Sequence, residues 1–424
     1  MSVLTQSELL SQAVRPTSQC LACGSAHQML EVFDLGEPYL SNFVLPSETK
    51  SCRKFPLKVV FCQECKLAQL SHHAPADWSF RHYWYRSGIT QSMKKQLAEI
   101  VSKASEFVGL DDRDAVCDIG ANDGTMLRMY PQAVRRVGFE PALNLTELGR
   151  EGGNEILRTY FTRDGFAEKT FKIVTAIAMF YDLADPLSFL QDVEHVMTDD
   201  GVFILQMNYA PLMIKNLAFD NIGHEHLAYY SLGSLVPLLN RAALHPCKVE
   251  FNDTNGGSIR LYVTKKRTCT PEEYQEVGKA LDEEYFSHFD TPRTWLDFAE
   301  RISVTKETVR NTLFQAQAQG RRIWACGAST RGSTLVQYFG LDHTLIEGFS
   351  ERDERKYGRL TTGSWIPIFP EQEARLKADV MIVLPWHFKT ELVAREREFL
   401  VQGGQLLFPF PEPVLVTQNG DKAL

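Results

Sequence analysis

A chain of 424 residues is too long for one hydrophobic core, and its 44% hydrophobic and 23% charged content is that of a folded protein of two or three domains. A formal net charge of −8 argues against a mainly electrostatic hold on nucleic acid. No apolar run approaches the roughly 20 residues that span a bilayer, and "MSVLTQSELLSQAV" lacks the basic start and long apolar core of a signal peptide, so a cytoplasmic protein without a membrane partner is expected.

Residues 1–75 read as a small module built on two cysteine pairs, Cys20/Cys23 in "CLAC" and Cys62/Cys65 in "CQEC". Each pair is followed by turn-forming or polar residues, so each can turn two sulfurs toward one point. Two such pairs predict a four-thiolate tetrahedral zinc site, against redox thiols as the alternative. A site filled by four cysteines leaves no open position for substrate, so this zinc is expected to be structural. Nine cysteines do not make a disulfide scaffold in a chain of this size, and the remaining five lie singly.

Over residues 76–270 strands and helices alternate. "AVCDIGANDGTML" reads as a strand, a glycine turn and a helix start; "RRVGFEPA" as a short strand ending in an acid; "KIVTAIAMFYDL" and "GVFILQMNYA" as buried strands flanking the helical "PLSFLQDVEHVM". "GGSIRLYVTKK" adds a strand at the edge. The expected fold is α/β: a mostly parallel Rossmann-like sheet with helices on both faces. In the loop Asp118, Gly120, Asn122, Asp123 and Gly124, glycines let a ligand approach the backbone, and Glu140 can accept ribose hydroxyls. Acids inside the loop would repel a pyrophosphate but suit S-adenosylmethionine, which carries a sulfonium and an amino group. Another nucleotide, or a plain tight turn, are the alternatives.

Residues 271–320 are charged and helical in period, a connector. A second Rossmann-like α/β unit follows over 321–424, opening on "RRIWACGASTRGSTLVQYFG". Its turn offers Gly327, Ser329, Thr330, Arg331, Gly332 and Ser333, and a phosphate site and a structural turn stand level there.

The stretch "FDNIGHEHLAYYSL" crowds His224, Glu225, His226, Tyr229 and Tyr230 together. The spacing is not HExxH and no further histidine cluster completes a metal site. The chemistry left is acid–base: one histidine as base, its second ring nitrogen steadied by a carboxylate. A purely structural role is the alternative. Methylation at carbon needs such a base, because a proton beside a carbonyl must leave and the enolate must be held.

With these motifs in order, the chain resembles the three-domain sugar C-methyltransferases of deoxysugar pathways. The resemblance rests on the four cysteines, "YWYRSG" at 83–88, "DIGANDGT" at 118–125, "HEHLAYYSL" at 224–232, "GGSIR" at 256–260, "GASTRGSTLVQYFGL" at 327–341 and "TTGSWIPI" at 361–368. It implies S-adenosylmethionine as cofactor and a nucleotide-linked 4-keto-6-deoxy sugar, carried on dTDP or GDP, as substrate. It further implies His226 as the base acting at sugar C3, with Glu225 beside it. A tyrosine near the sugar would be Tyr85, or Tyr83 in the other register. His224 joins this catalytic set, and Tyr230 with residues 329–333 forms the expected substrate side. "WH" at Trp386–His387 belongs to the same pattern. Two departures bear on the substrate: Gly223 stands where the family pattern carries tyrosine, and "SERDERKYG" replaces a short polar-proline turn. Three other readings remain: an O- or N-methyltransferase of another small molecule, a non-catalytic carbohydrate- or nucleotide-binding protein, and an RNA methyltransferase with a zinc module. Monomer and dimer are both open.

Overall fold

The computed structural model describes residues 15–26, 29–266 and 269–424; the signal-peptide reading of the first residues lies outside them. Among the described residues no helix is long and apolar enough to cross a membrane.

The central sheet has seven strands. Ala115–Ile119, Arg135–Phe139, Glu155–Leu157, Phe171–Ile177 and the sheet's longest strand, Met197–Asn208, run parallel. Ala115–Ile119 lies between Arg135–Phe139 and Phe171–Ile177, so the strand order reverses there. At such a switch point the carboxyl ends of the strands splay and leave a crevice. Ser258–Thr264 pairs antiparallel with Met197–Asn208 on one side and with His245–Asn252 on the other. It is therefore interior, not the edge strand expected; every one of its residues is buried, which requires cover on both sides. The edge belongs to His245–Asn252. A second correction concerns the glycine turn. Only a single 3₁₀ turn, Leu127–Met129, follows it, because Pro131 has no N–H to continue a helix.

The second sheet also has seven strands, with Ile323–Cys326 between Phe349–Glu351 and Val380–Val383. Its first five strands are parallel and it closes on an antiparallel hairpin, Val414–Thr417 with Gly420–Ala423. The connector forms two helices, Pro271–Phe286 and Pro292–Ala318. Glu284 is buried on the first and accepts from the backbone of Leu232 (2.6 Å) and Gly233 (2.8 Å), which caps helix Leu232–Arg241. Cys247 and Cys269, read singly in the sequence, form a disulfide tying the edge strand to the start of the connector.

The N-terminal module is not self-contained. Its sheet contains Met29–Asp34, Lys58–Cys62 and Ala68–Leu70, and the fourth strand is Ala228–Tyr229, from immediately after the HEH residues. Phe43–Val44 of the same module pairs with Leu360–Thr361 of the C-terminal unit. One hydrophobic core accordingly runs from Phe33 and Phe61 through Phe219 and Trp295 to Leu335 and Phe408.

Candidate active site

The two cysteine knuckles close on one point. Cys20 and Cys62 each accept from the residue four positions on, Gly24 and Lys66, and both of those residues take positive φ (77° and 66°). Glycine tolerates that conformation freely; Lys66 adopts it at the cost of a tight turn. All four sulfurs lie within 4.8 Å of one another, with 3.4 Å from Cys20 to Cys65 and 3.7 Å from Cys23 to Cys62. Tetrahedral zinc–thiolate bonds of about 2.3 Å set sulfurs roughly 3.8 Å apart, so Cys20, Cys23, Cys62 and Cys65 fit a closed zinc site. Tyr230, expected on the substrate side, is 1% exposed, packs on Phe180 and lies near Cys20 and Cys65.

At the switch point of the central sheet, Asp118 stands on Ala115–Ile119 and Glu140 directly follows the neighbouring strand Arg135–Phe139. Asp118 is buried and accepts from the Thr175 hydroxyl (2.7 Å); burial, reinforced by the charge of Glu140, pushes its carboxyl up to about 7. Glu140 accepts from the amides of Asn122 and Ala142, both at 2.8 Å, and burial raises its pKa. Each oxygen keeps a lone pair for a ribose hydroxyl. Gly120, Asn122 and Gly124 all have positive φ. At Gly124 a Cβ would come within 2.5 Å of the Gly149 carbonyl, so close packing of the loop also requires this glycine. The "YWYRSG" segment lies directly on the loop. Asn122 accepts from Ser87 N and donates to the Tyr85 carbonyl, and Asp123 accepts from Gly88 N. The side chains of Asn122 and Asp123 thus hold this strap, and Tyr85 on it is 45% exposed.

The HEH residues diverge in direction. His224 is 5% exposed and donates from Nε2 to the carbonyl of Phe55 (3.1 Å), clamping the loop to the N-terminal module. His226 has Nδ1 2.6 Å from the carbonyl of Asn221. A carbonyl can only accept, so Nδ1 carries the proton and Nε2 of the neutral ring presents its lone pair. Burial, helped by the nearby Arg331 charge, lowers the pKa of His226 to about 4. The ring nitrogen is therefore steadied by a backbone carbonyl, not by the carboxylate expected, since Glu225, one residue away on an irregular loop, points elsewhere. Glu225 lies by Gly223, where a Cβ would sit 3.0 Å from its Oε2, and burial pushes its carboxyl up to about 7. Tyr83 and Asp182 share this environment; burial first and the Glu225 charge second raise both pKa values.

His226 opens on a cavity lined by Tyr181, Asn208, Ala210, Met213, Asn221, Ala228 and Tyr229, and its ring lies 4.3 Å from that of Tyr181. The sequence reading missed Tyr181, Asp182, Asn208 and Asn221. The first three follow or end strands at the carboxyl edge of a parallel sheet, the position that could have flagged them.

The C-terminal unit reaches this region through Arg331, which donates to Asp220 (2.8 Å), while Trp386 donates to the other Asp220 oxygen (3.3 Å). The remaining residues of that turn are engaged in the fold. Ser329 caps the helix by accepting from Gly332 N, Gly332 packs against Leu384, and Ser333 is 1% exposed and accepts from Gln337. Thr330 and Arg331 remain partly exposed. A crevice of about 120 Å³ lies between the two α/β units, bounded by Thr90, Gly327, Ser350, Glu351, Arg352 and Arg395.

Three family models match the chain: a zinc binding domain over residues 20–80, a methyltransferase domain over 89–245 and a C-methyltransferase C-terminal domain over 253–411. C-methyltransferase NovU of Streptomyces niveus is 32% identical over 421 residues, covering 96% of this chain and 99% of that protein. Among solved structures, the PH0226 protein of Pyrococcus horikoshii OT3 matches with a TM-score of 0.36 at 14% identity, over 43% of this chain and 95% of its own. A S-adenosylmethionine-dependent methyltransferase of Clostridium acetobutylicum matches at 0.34 and 10% identity, over 40% and 91%.

Proposed function

This chain belongs to the family of three-domain C-methyltransferases, and from that premise we propose that it methylates a nucleotide-linked 4-keto-6-deoxy sugar at C3 through an enolate. One observation carries the base assignment: Nδ1 of His226 is committed to the Asn221 carbonyl, which leaves Nε2 as a neutral acceptor on a residue that lines a small cavity. His226 takes the proton from the carbon beside the keto group. Its low pKa keeps it unprotonated across the neutral range, and the imidazolium formed on proton transfer returns its proton readily to solvent.

S-adenosylmethionine, when bound, supplies an electrophilic methyl group. Asp118 and Glu140 would hold it at the carboxyl ends of their strands, with the backbone of Gly120 beneath and the 83–88 strap above. We assign Tyr83 and Glu225 to the sugar side, Tyr85 to the mouth of the site, and His224 to fixing the loop. Thr330 and Arg331, with the crevice beyond them, suit the nucleotide. The zinc site holds the N-terminal module in shape.

The deciding experiment is incubation with S-adenosylmethionine and dTDP- and GDP-linked 4-keto-6-deoxy sugars in heavy water, followed by mass spectrometry and proton NMR. A methyl on C3 is expected. Both flanks of a 4-keto group are acidic, so a methyl on C5 would move the position and keep the mechanism. Methyl on oxygen or nitrogen, with no solvent exchange at carbon, would replace it.

A further inference from the structure

Removing a proton beside a keto group drives negative charge onto the keto oxygen, and a base alone does not hold that charge. Buried polar atoms without partners are rare in folded proteins, because each costs the desolvation of a group that water would have satisfied. Where several face one cavity, a ligand's polar atoms are the natural partners.

The His226 cavity has this character. Asn208 is 9% exposed, and neither its Oδ1 nor its Nδ2 has a hydrogen-bond partner. Oδ1 of Asn221 is likewise unpartnered on the same wall. The same wall carries the apolar Ala210, Met213 and Ala228, which offer no hydrogen bond, and the Tyr229 hydroxyl, which is also without a partner. Asn208 is the last residue of Met197–Asn208, at the carboxyl edge where parallel sheets place their ligands, and its backbone is pinned opposite Ser258. Rigid placement on a strand end and an unpartnered amide donor on the wall that His226 shares are what an oxyanion holder requires.

We propose that Asn208 is a catalytic residue whose Nδ2–H donates to the keto oxygen of the substrate while His226 Nε2 removes the neighbouring proton. The C–H bond breaks, its electron pair becomes the new C=C bond, the carbonyl π pair moves onto oxygen beside Asn208, and the proton passes to Nε2. Oδ1 of Asn208 is left to accept from a sugar hydroxyl. The inference rests on the enolate reading above.

This half of the reaction is reversible and can be followed without methyl transfer. The probe is dTDP-linked 4-keto-6-deoxyglucose in heavy water with the full-length zinc-loaded protein, first without and then with S-adenosylmethionine. Asn208→Ala is expected to slow deuterium entry beside the keto group and methylation together, by about 10²-fold or more, with the loss in kcat rather than KM. Asn208→Asp keeps the shape; assayed against the wild type at pH 9, where its carboxyl is ionised, it sets a charge against the enolate and should be slower still while melting near the wild type. Exchange within about threefold of wild type in either folded variant overturns the proposal. If Asn208→Ala does not fold, the near-isosteric Asp variant decides. A wild type silent toward every sugar overturns the enolate reading and this inference with it, whereas an active wild type with unaffected Asn208 variants overturns the inference alone.

Discussion

His226 and Glu225 are neighbours in sequence whose environments push them in opposite chemical directions. The histidine is held neutral down to about pH 4 and the glutamate holds its proton up to about 7. His226→Asn should abolish exchange and methylation while zinc content and S-adenosylmethionine binding, read by metal analysis and calorimetry, stay at wild-type levels; a variant with measurable turnover would remove His226 as the base. For Glu225 the sign is that of a carboxyl whose folded pKa is raised: protonated below 7, charged above it. A charge arriving beside the enolate opposes it, so the exchange rate should fall as pH rises through about 7. Glu225→Gln, always neutral, should lack that limb in a pH–rate profile. His224 works on stability instead. Its pKa is lowered to about 4, so between the ordinary histidine value of 6.5 and about 4 the unfolded chain binds a proton that the folded chain refuses. Stability is lost as pH falls through that window, by up to about 3 kcal/mol from this residue. His224→Gln should shrink the loss in denaturant titrations at pH 7 and pH 4.5.

At the scale of elements, the run of strands and helices was legible because buried parallel strands announce themselves as apolar runs, as "VTAIAM" and "GVFILQM" do. What was not legible is partnership. Nothing in "GGSIRLYVT" says that it enters the sheet between two other strands, and nothing in "LAYY" says that Ala228 and Tyr229 leave their own domain to pair with Ala68 and Gln69. Side-chain direction was equally hidden: Tyr230 and Ser333 look available in the sequence and are buried in the fold. The cysteine cluster and His226 are joined beside that borrowed strand, Leu70 N donating to the Leu227 carbonyl one residue beyond His226. Removing zinc with a chelator should therefore raise amide exchange at residues 226–230 and cut activity, although zinc touches no substrate. Unchanged protection there after complete zinc loss would show the two to be independent.

At the scale of the whole molecule, the C-terminal unit meets the segment that carries His226 through the Arg331–Asp220 pair, with Asp220 only 3% exposed. Breaking a buried pair from one side leaves a charge without a partner, at a cost of about 3–5 kcal/mol. Asp220→Ala should lower the melting temperature sharply. Asp220→Ala combined with Arg331→Met should recover much of that stability without recovering turnover, and a scanning melt beside an activity assay separates the two. The borrowed strand also has a consequence in time. During synthesis the first 70 residues emerge well before Ala228, and at roughly 5–20 residues per second the gap lasts on the order of ten to thirty seconds. Throughout it, Ala68–Leu70 is the bare rim of an unfinished sheet, open to whatever nascent strand comes near. The module cannot be completed in the order in which it is made, so the ribosome delivers its capping piece only together with His226.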